Sequence, residues 1–292
     1  MRTFDFHAPT ALNEVLELLN RGDRSRPLAG GTDLVVQMKE AATKFTYPPS
    51  VISLLRVPEL QGIDFDQSSG LRIGATTTMT DLADSAEVKE HYAAIAEGAA
   101  VVGSVQTMNM ATLGGNLCNA APSADTAPPL LAHDAEVVIT GPDGHRSLPT
   151  YEFFVGPGET ALAPNELLVE VRVPTPAGRS GGAYVRHTPR HQMDIAVVGV
   201  AVFMTLADGD RIENVRIALG AVAPTPIRAT NAEATLKGQL ASEDSFSNAA
   251  KTTAAECDPI SDIRGSAEFR RHLVKTMTKR MLRRAANRAR GG

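Results

Sequence analysis

The chain has 292 residues, 43% of them hydrophobic and 21% charged, with a net charge of −4. That length allows about two domains and a sizeable core, and the composition excludes collagen, coiled coil and wholesale disorder. The longest apolar stretch, Ile195 to Met204, falls short of the ~20 residues a membrane helix needs. The opening MRTFDFHAPT lacks the apolar core of a secretion signal. Cys118 and Cys257 are the two cysteines, short of the about four thiolates an iron–sulfur cluster takes. These readings predict a cytoplasmic chain without membrane insertion and without a metal centre of its own.

In chain order, a short strand precedes a helix that Thr10 can cap, with Leu12, Val15, Leu16 and Leu19 as its apolar face and Gly22 as its stop. RPLAGGTDLVVQMK sets apolar residues around a Gly-Gly turn. VISLLRVPEL is a short apolar run stopped by Pro58. LRIGATTTMTDLADS predicts a strand and then a helix starting at Thr80 or Asp81, continuing through HYAAIAEGAAVVG. MATLGGNLCNAAPSADTAPPLLAH is rich in small residues. AEVVITGPDGHRSLP predicts a strand, a Pro-Asp-Gly turn and a second strand, and ELLVEVRVP a further strand closed by Pro174.

TPAGRSGG is the best domain boundary in the chain. Beyond it, two long β-rich runs flank Asp208-Gly209-Asp210, a hairpin signal. Helical stretches follow and end in SAEFRRHLVKTMTKRMLRRAANR, which Ser266 can cap, with Phe269, Leu273, Met277 and Met281 at i+4 spacing. From Arg264 to Gly292 there are ten Lys or Arg residues and one acid, Glu268, leaving 19 basic and 32 acidic residues elsewhere, a balance of −13. A basic helix can contact nucleic acid, but no recognition motif accompanies this one. Docking on an acidic neighbour or a solvated face is the favoured reading, so no nucleic-acid partner is expected. The irregular mixture of strands and helices predicts α+β.

Two Gly-Gly loops carry the chemistry. Ala29-Gly30-Gly31-Thr32-Asp33-Leu34 follows an apolar lead-in, and Thr112-Leu113-Gly114-Gly115-Asn116 follows the Ala-rich region. Without a Cβ in the way, consecutive N–H groups can form a concave site for a phosphate or pyrophosphate. Either loop alone reads more readily as a tight turn; two of them in one domain, each with polar companions, shift the balance toward a binding site. Asp125 falls nine residues after Asn116. It can accept from a ribose hydroxyl, as carboxylates do in nucleotide sites, or cap a turn. Gly156-Pro157-Gly158-Glu159-Thr160-Ala161 fits G-x-G-x-x-A, but Pro164 leaves no room for the helix that fingerprint requires. His187 and His191 have a helical metal-ligand spacing, yet Pro189 between them removes the helix. No P-loop or G-x-S-x-G elbow is present.

Taken together, AGGTDL, TLGGNLCNAAPSADTAPPLLA, FFVGPGETALAPNELLVEVRVP and YVRHTPRHQMDIAVVGV resemble, in order and essentially end to end, the flavoprotein subunit of the molybdenum hydroxylases. That family includes the FAD subunit of bacterial xanthine dehydrogenase and the medium subunit of aerobic carbon monoxide dehydrogenase. The resemblance implies an α+β fold: a vanillyl-alcohol-oxidase (PCMH-type) FAD domain over 1–176, with subdomains at about 1–56 and 57–176, and a smaller domain over 180–290 with a three-stranded sheet and helices. Some relatives insert an extra cluster-binding loop, which the cysteine count excludes here, leaving FAD as the cofactor.

Carried over by position, Gly30, Gly31, Thr32 and Asp33 would bind the FAD pyrophosphate through their backbone, flanked by Ala29 and Leu34. Ala111, Thr112, Gly115 and Asn116 would contact the cofactor, with Gly114, Cys118 and Ala124 in the same segment. Asp125 would hold a hydroxyl of the adenosine side, and Leu167 and Leu168 would pack near the adenine. Arg186 would lie near the flavin and tune it electrostatically. Ile195 would lie against the ring, its aliphatic side chain matching the xanthine dehydrogenase branch. Val102 aligns with a flavin-contacting position that can be aromatic in relatives.

The resemblance also implies that substrate chemistry belongs to other chains: a molybdopterin-binding large subunit, and a small subunit with [2Fe–2S] clusters, in a dimer of heterotrimers. Electrons would travel from those clusters through FAD to NAD⁺, a quinone or another acceptor. A stand-alone FAD-dependent oxidoreductase of the same fold is the alternative, and a scaffold that has lost its cofactor is a third reading.

Overall fold

A computed structural model describes residues 2–22, 24–40, 46–190 and 193–292. The described residues form three sheets of three, five and four strands, each with its own packing, and one small hairpin. The first sheet is parallel. Its strands are β1 (Asp5–His7), β2 (Arg26–Leu28) and β3 (Ser50–Ser53), with β3 in the centre. The helix Leu12–Leu19 joins β1 to β2 and buries Val15 and Leu19. Ala11, not Thr10, stands at its N-cap, where it offers no side-chain cap. Thr10 instead donates its N–H to Glu14 (2.9 Å), so the first turn reaches back to the chain rather than the reverse.

The second sheet is antiparallel, in the order β4 (Ile63–Asp66), β5 (Gly70–Gly74), β10 (Leu167–Val173), β6 (Glu136–Gly141), β7 (Gly144–Pro149). β6 and β7 are the two strands expected around Pro-Asp-Gly. Between β7 and β10, β8 (Phe154–Gly156) and β9 (Glu159–Thr160) pair as a hairpin. This hairpin occupies the G-x-G-x-x-A stretch, so no helix receives a pyrophosphate there.

Both faces of the second sheet are covered. Leu167 and Val169 join Val15, Leu19 and Ile52 in one core, while Leu168, Val171 and Val173 face the other. A register shift between Leu168 and Glu170 lets Leu168 share that face with Val171 and Val173. The single helix expected after β5 is three: Met79–Asp84, Ala86–His91 and Ala93–Ala99. Thr78 caps the first by accepting from Asp81 N, and Ser85 caps the second by accepting from Val88 N. Hydroxyls at those positions favour a fresh start over continuation. Tyr92 makes the second break, its buried hydroxyl donating to the Pro174 carbonyl (3.2 Å).

The third sheet holds β11 (Ser180–His187), β12 (Val198–Leu206), β13 (Ile212–Gly220) and β14 (Ile227–Arg228) in that order. Three strands are long, as the resemblance implies, and the two-residue β14 is an addition at the edge. β12 alternates: Val198, Val200, Val202 and Met204 face the C-terminal helices, while Ala201 and Phe203 join the core of the second sheet. The helices Glu243–Ala255 and Ala267–Ala289 cover the outer face.

Ser266 caps the last helix, accepting from Phe269 N (3.1 Å). Its buried stripe runs through Val274, Met277, Met281, Leu282, Ala285 and Ala286, whereas Phe269 is largely exposed. Much of its charge is paired at home: Arg270 with Asp262, Arg283 and Lys279 with Glu243, Arg284 and Arg288 with Glu97. The acidic-neighbour reading of the basic helix describes these pairs. No described helix is long and apolar enough to cross a membrane.

Candidate functional site

The fold brings the two glycine loops into contact. The first links β2 to the short helix Leu34–Glu40. Gly31 has φ +73°, a left-handed conformation that glycine adopts without strain. Gly30 lies against the second loop so closely that a β-carbon there would stand 1.7 Å from the Met110 carbonyl oxygen. Among the described residues, nothing accepts from the N–H groups of Gly30, Gly31, Thr32 and Asp33. Four successive amides without an acceptor among the described residues, beginning at a glycine that has no room for a Cβ, fit an anionic group such as a pyrophosphate.

The second loop behaves differently from its expected role as another amide cradle. Leu113 N donates to Thr77 O (3.0 Å), Gly114 N to Ala75 O (2.8 Å), Gly115 N to Thr112 Oγ1 (3.1 Å) and Asn116 N to Thr112 O (2.9 Å). Its amides are therefore committed to the fold. Gly114 permits close packing, since a β-carbon there would meet Ala75 O at 2.7 Å. Gly115 and Cys118 are exposed, Asn116 is half-buried, and Ala111 and Ala124 are buried. Asn116 Oδ1 accepts from Thr126 Oγ1 at 2.6 Å, which ties the loop to the residue after Asp125.

Asp125 and Arg186, expected at separate places along a cofactor, form one buried pair. Arg186 Nη1 lies 2.6 Å from Asp125 Oδ2, with side chains 7% and 8% exposed. Tyr184 Oη donates to Asp125 Oδ1 at 2.7 Å. Burial pushes the Asp125 carboxyl up to about 6, against the pull of Arg186 and Tyr184. The guanidinium of Arg186 is thus paired within the chain, with Asp125.

Leu167 and Leu168 are successive residues on β10, and their side chains enter two different cores. Val102 is half-buried against the central core. Ile195 is half-exposed, and its neighbour Met193 donates its N–H to Gly103 O (3.4 Å), so the Val102–Gly103 turn and the Asp194-Ile195 segment are neighbours. His187 rests edge-on against Phe269; His191 lies outside the described residues. The sequence reading missed Tyr184, Glu97, Thr126 and Gly199. A glycine inside the valine-rich β12 was the one available signal.

Residues 2–176 match the model of the FAD binding domain in molybdopterin dehydrogenase, and residues 183–285 that of the CO dehydrogenase flavoprotein C-terminal domain. The chain belongs to this flavoprotein family. It is 35% identical, over 99% of each chain, to the putative xanthine dehydrogenase FAD-binding subunit of Escherichia coli strain K12. It is also 35% identical to the carbon monoxide dehydrogenase medium chain of Hydrogenophaga pseudoflava, over 96% of each chain. A solved structure of carbon monoxide dehydrogenase from the same organism, lacking the Mo-pyranopterin moiety of its cofactor, superimposes with a TM-score of 0.92 at 36% identity, covering 98% of both chains. As a family member the chain is a FAD-binding oxidoreductase subunit of the molybdenum hydroxylase type, and the donor-lined glycine loop suits that cofactor.

Proposed function

We propose that this chain is the electron-transfer subunit of a molybdenum hydroxylase complex, taking electrons from [2Fe–2S] clusters of a small partner and delivering them to NAD⁺, a quinone or another acceptor. A molybdopterin-binding large partner hydroxylates the substrate, the complex is a dimer of heterotrimers, and it works in the cytoplasm. The observation that carries this reading is the run of amides from Gly30 to Asp33, without a protein acceptor among the described residues, pressed against the second glycine loop. Bound FAD supplies the redox chemistry; the protein supplies binding and positioning.

In this assignment Gly30, Gly31, Thr32 and Asp33 hold the pyrophosphate, flanked by Ala29 and Leu34. Thr112, Gly115 and Asn116 form the opposite wall, while Ala111, Gly114, Cys118 and Ala124 shape it. Val102 and Ile195, joined through the Met193–Gly103 hydrogen bond, border the ring. Asp125 keeps an acceptor lone pair for an adenosine-side hydroxyl. Arg186 acts through Asp125 rather than on the flavin directly. The FAD domain occupies 1–176 and the C-terminal domain 180–290.

The test is the visible spectrum of the purified chain, alone and with co-expressed partners, with identification of the released cofactor. Stoichiometric FAD supports the reading, and rapid reduction of that flavin through a clustered partner supports the electron path. Absence of flavin in both preparations overturns it. Substrate turnover by the isolated chain would instead favour a stand-alone oxidoreductase.

A further inference from the structure

Asp125 is fixed by another part of the chain. Both of its bonds to Tyr184 and Arg186 come from β11 in the C-terminal sheet. Tyr184 is itself held at both ends. Its backbone N–H donates to Glu97 Oε2 (2.8 Å), and Glu97 Oε1 accepts from Arg284 and Arg288 on the last helix. Its hydroxyl rests over Gly199 on the next strand, where a β-carbon would stand 2.8 Å from Oη. Beyond Asp125, the Thr126 hydroxyl reaches Asn116. A continuous polar path therefore runs from the basic helix, through Glu97, Tyr184 and Asp125, to the second glycine loop.

We propose that Tyr184 is a positioning residue for the cofactor site: its hydroxyl, with Arg186, fixes Asp125 and, through Thr126, holds Asn116 beside the glycine loops. This rests on the FAD reading above. Among the described residues, the groups that pair with Asp125 are Arg186 and Tyr184, both on β11. The tyrosine donor favours the carboxylate, so its removal leaves one oxygen of a buried anion without that partner. Burial already raises this carboxyl to about 6; losing a donor raises it further. The loop is held when Asp125 is ionised, so cofactor affinity falls as pH drops through that protonation, and does so at higher pH when the donor is gone.

The experiment measures the FAD dissociation constant of the full chain, with its partner subunits where they co-purify, from mildly acid to neutral pH. Tyr184→Phe keeps the ring and removes the O–H. It should bind FAD about tenfold more weakly at neutral pH, the scale of one hydrogen bond to a charged group, and its pH profile should move to higher pH. Gly199→Ala keeps the tyrosine and displaces its hydroxyl, so it should reproduce both effects; it carries the test if Tyr184→Phe does not fold. A wild-type constant and profile in the variants overturns the proposal, and so does a weakening that is the same at every pH. A wild-type preparation that takes up no FAD overturns the cofactor reading as well, which separates the two failures.

Discussion

Gly30 and Met110, eighty residues apart in the chain, touch backbone to backbone: a β-carbon at position 30 would lie 1.7 Å from the Met110 carbonyl oxygen and 2.5 Å from its carbon. A carbonyl in a packed loop cannot swing aside as a flexible side chain can. Gly30→Ala must part the two loops, and overpacking of this kind costs about 1–3 kcal/mol. Denaturant unfolding should show that loss, and the purified variant should carry far less than stoichiometric FAD. A variant of unchanged stability would mean that the loops are not in contact.

Gly115→Val separates binding from folding. Gly115 is exposed, and a β-carbon there meets only Thr112 Oγ1, at 2.9 Å. The hydroxyl can give by a few tenths of an ångström, so stability should stay within about 1 kcal/mol of wild type, as for most surface substitutions. The bulk of valine, however, projects where the proposed cofactor wall lies. Flavin content should collapse while the melting temperature holds. A fully flavinated Gly115→Val protein would remove the second loop from the site.

The sequence made the layers legible where alternation is strong. The runs around Asp208-Gly209-Asp210 form β12 and β13, and from Val200 to Met204 successive side chains of β12 alternate between two cores. Both glycine loops were legible as loops. Which one keeps its amides free was not, because that depends on the Ala75 and Thr77 carbonyls reaching Gly114 and Leu113. The Asp125–Arg186 pair was hidden for a similar reason. Its members lie 61 residues apart, and each has a plausible solitary role as acceptor or cation. Only the third sheet, packed on the second, places them together. Helix breaks at Ser85 and Tyr92 were obscured by the favourable alanines around them, whose propensity predicts continuation while capping and aromatic burial decide otherwise.

His133 predicts an acid-sensitive fold. It is buried between the Tyr92 and Phe203 rings, 5.6 and 4.6 Å between centroids, and among the described residues its Nε2 has no hydrogen-bond partner. Burial, helped by the Arg216 charge, pushes its pKa down to about 3. The unfolded chain binds this proton near the ordinary histidine value, so between that value and about 3 the unfolded state holds the extra proton. Stability is therefore full above the ordinary value and falls as pH drops below it, by about 2 kcal/mol between pH 7 and 5 for one such group. His133→Leu should flatten that slope in pH-dependent unfolding. An unchanged slope would assign the acid sensitivity elsewhere.

Glu97 predicts a salt-sensitive junction between the FAD-binding part and the last helix. One of its oxygens accepts from Arg284 and Arg288, both at 2.6 Å, and the other accepts from Tyr184 N. Glu97→Gln keeps the shape and removes the charge facing two guanidinium groups. Bonds to charged groups contribute about 1.5–3 kcal/mol each when desolvated, but the arginine side chains are 46% and 28% exposed. Solvent screening brings the expected total loss to about 1–2 kcal/mol. The deficit should shrink at high salt, since wild type loses the screened attraction and the variant has little left to lose. Hydrogen exchange should locate the loosening in the C-terminal part of the helix Ala267–Ala289, where Arg284 and Arg288 sit. Because Tyr184 shares this carboxylate, the same variant should also weaken FAD binding. Tighter or unchanged binding would show that the last helix and the glycine loops are energetically independent.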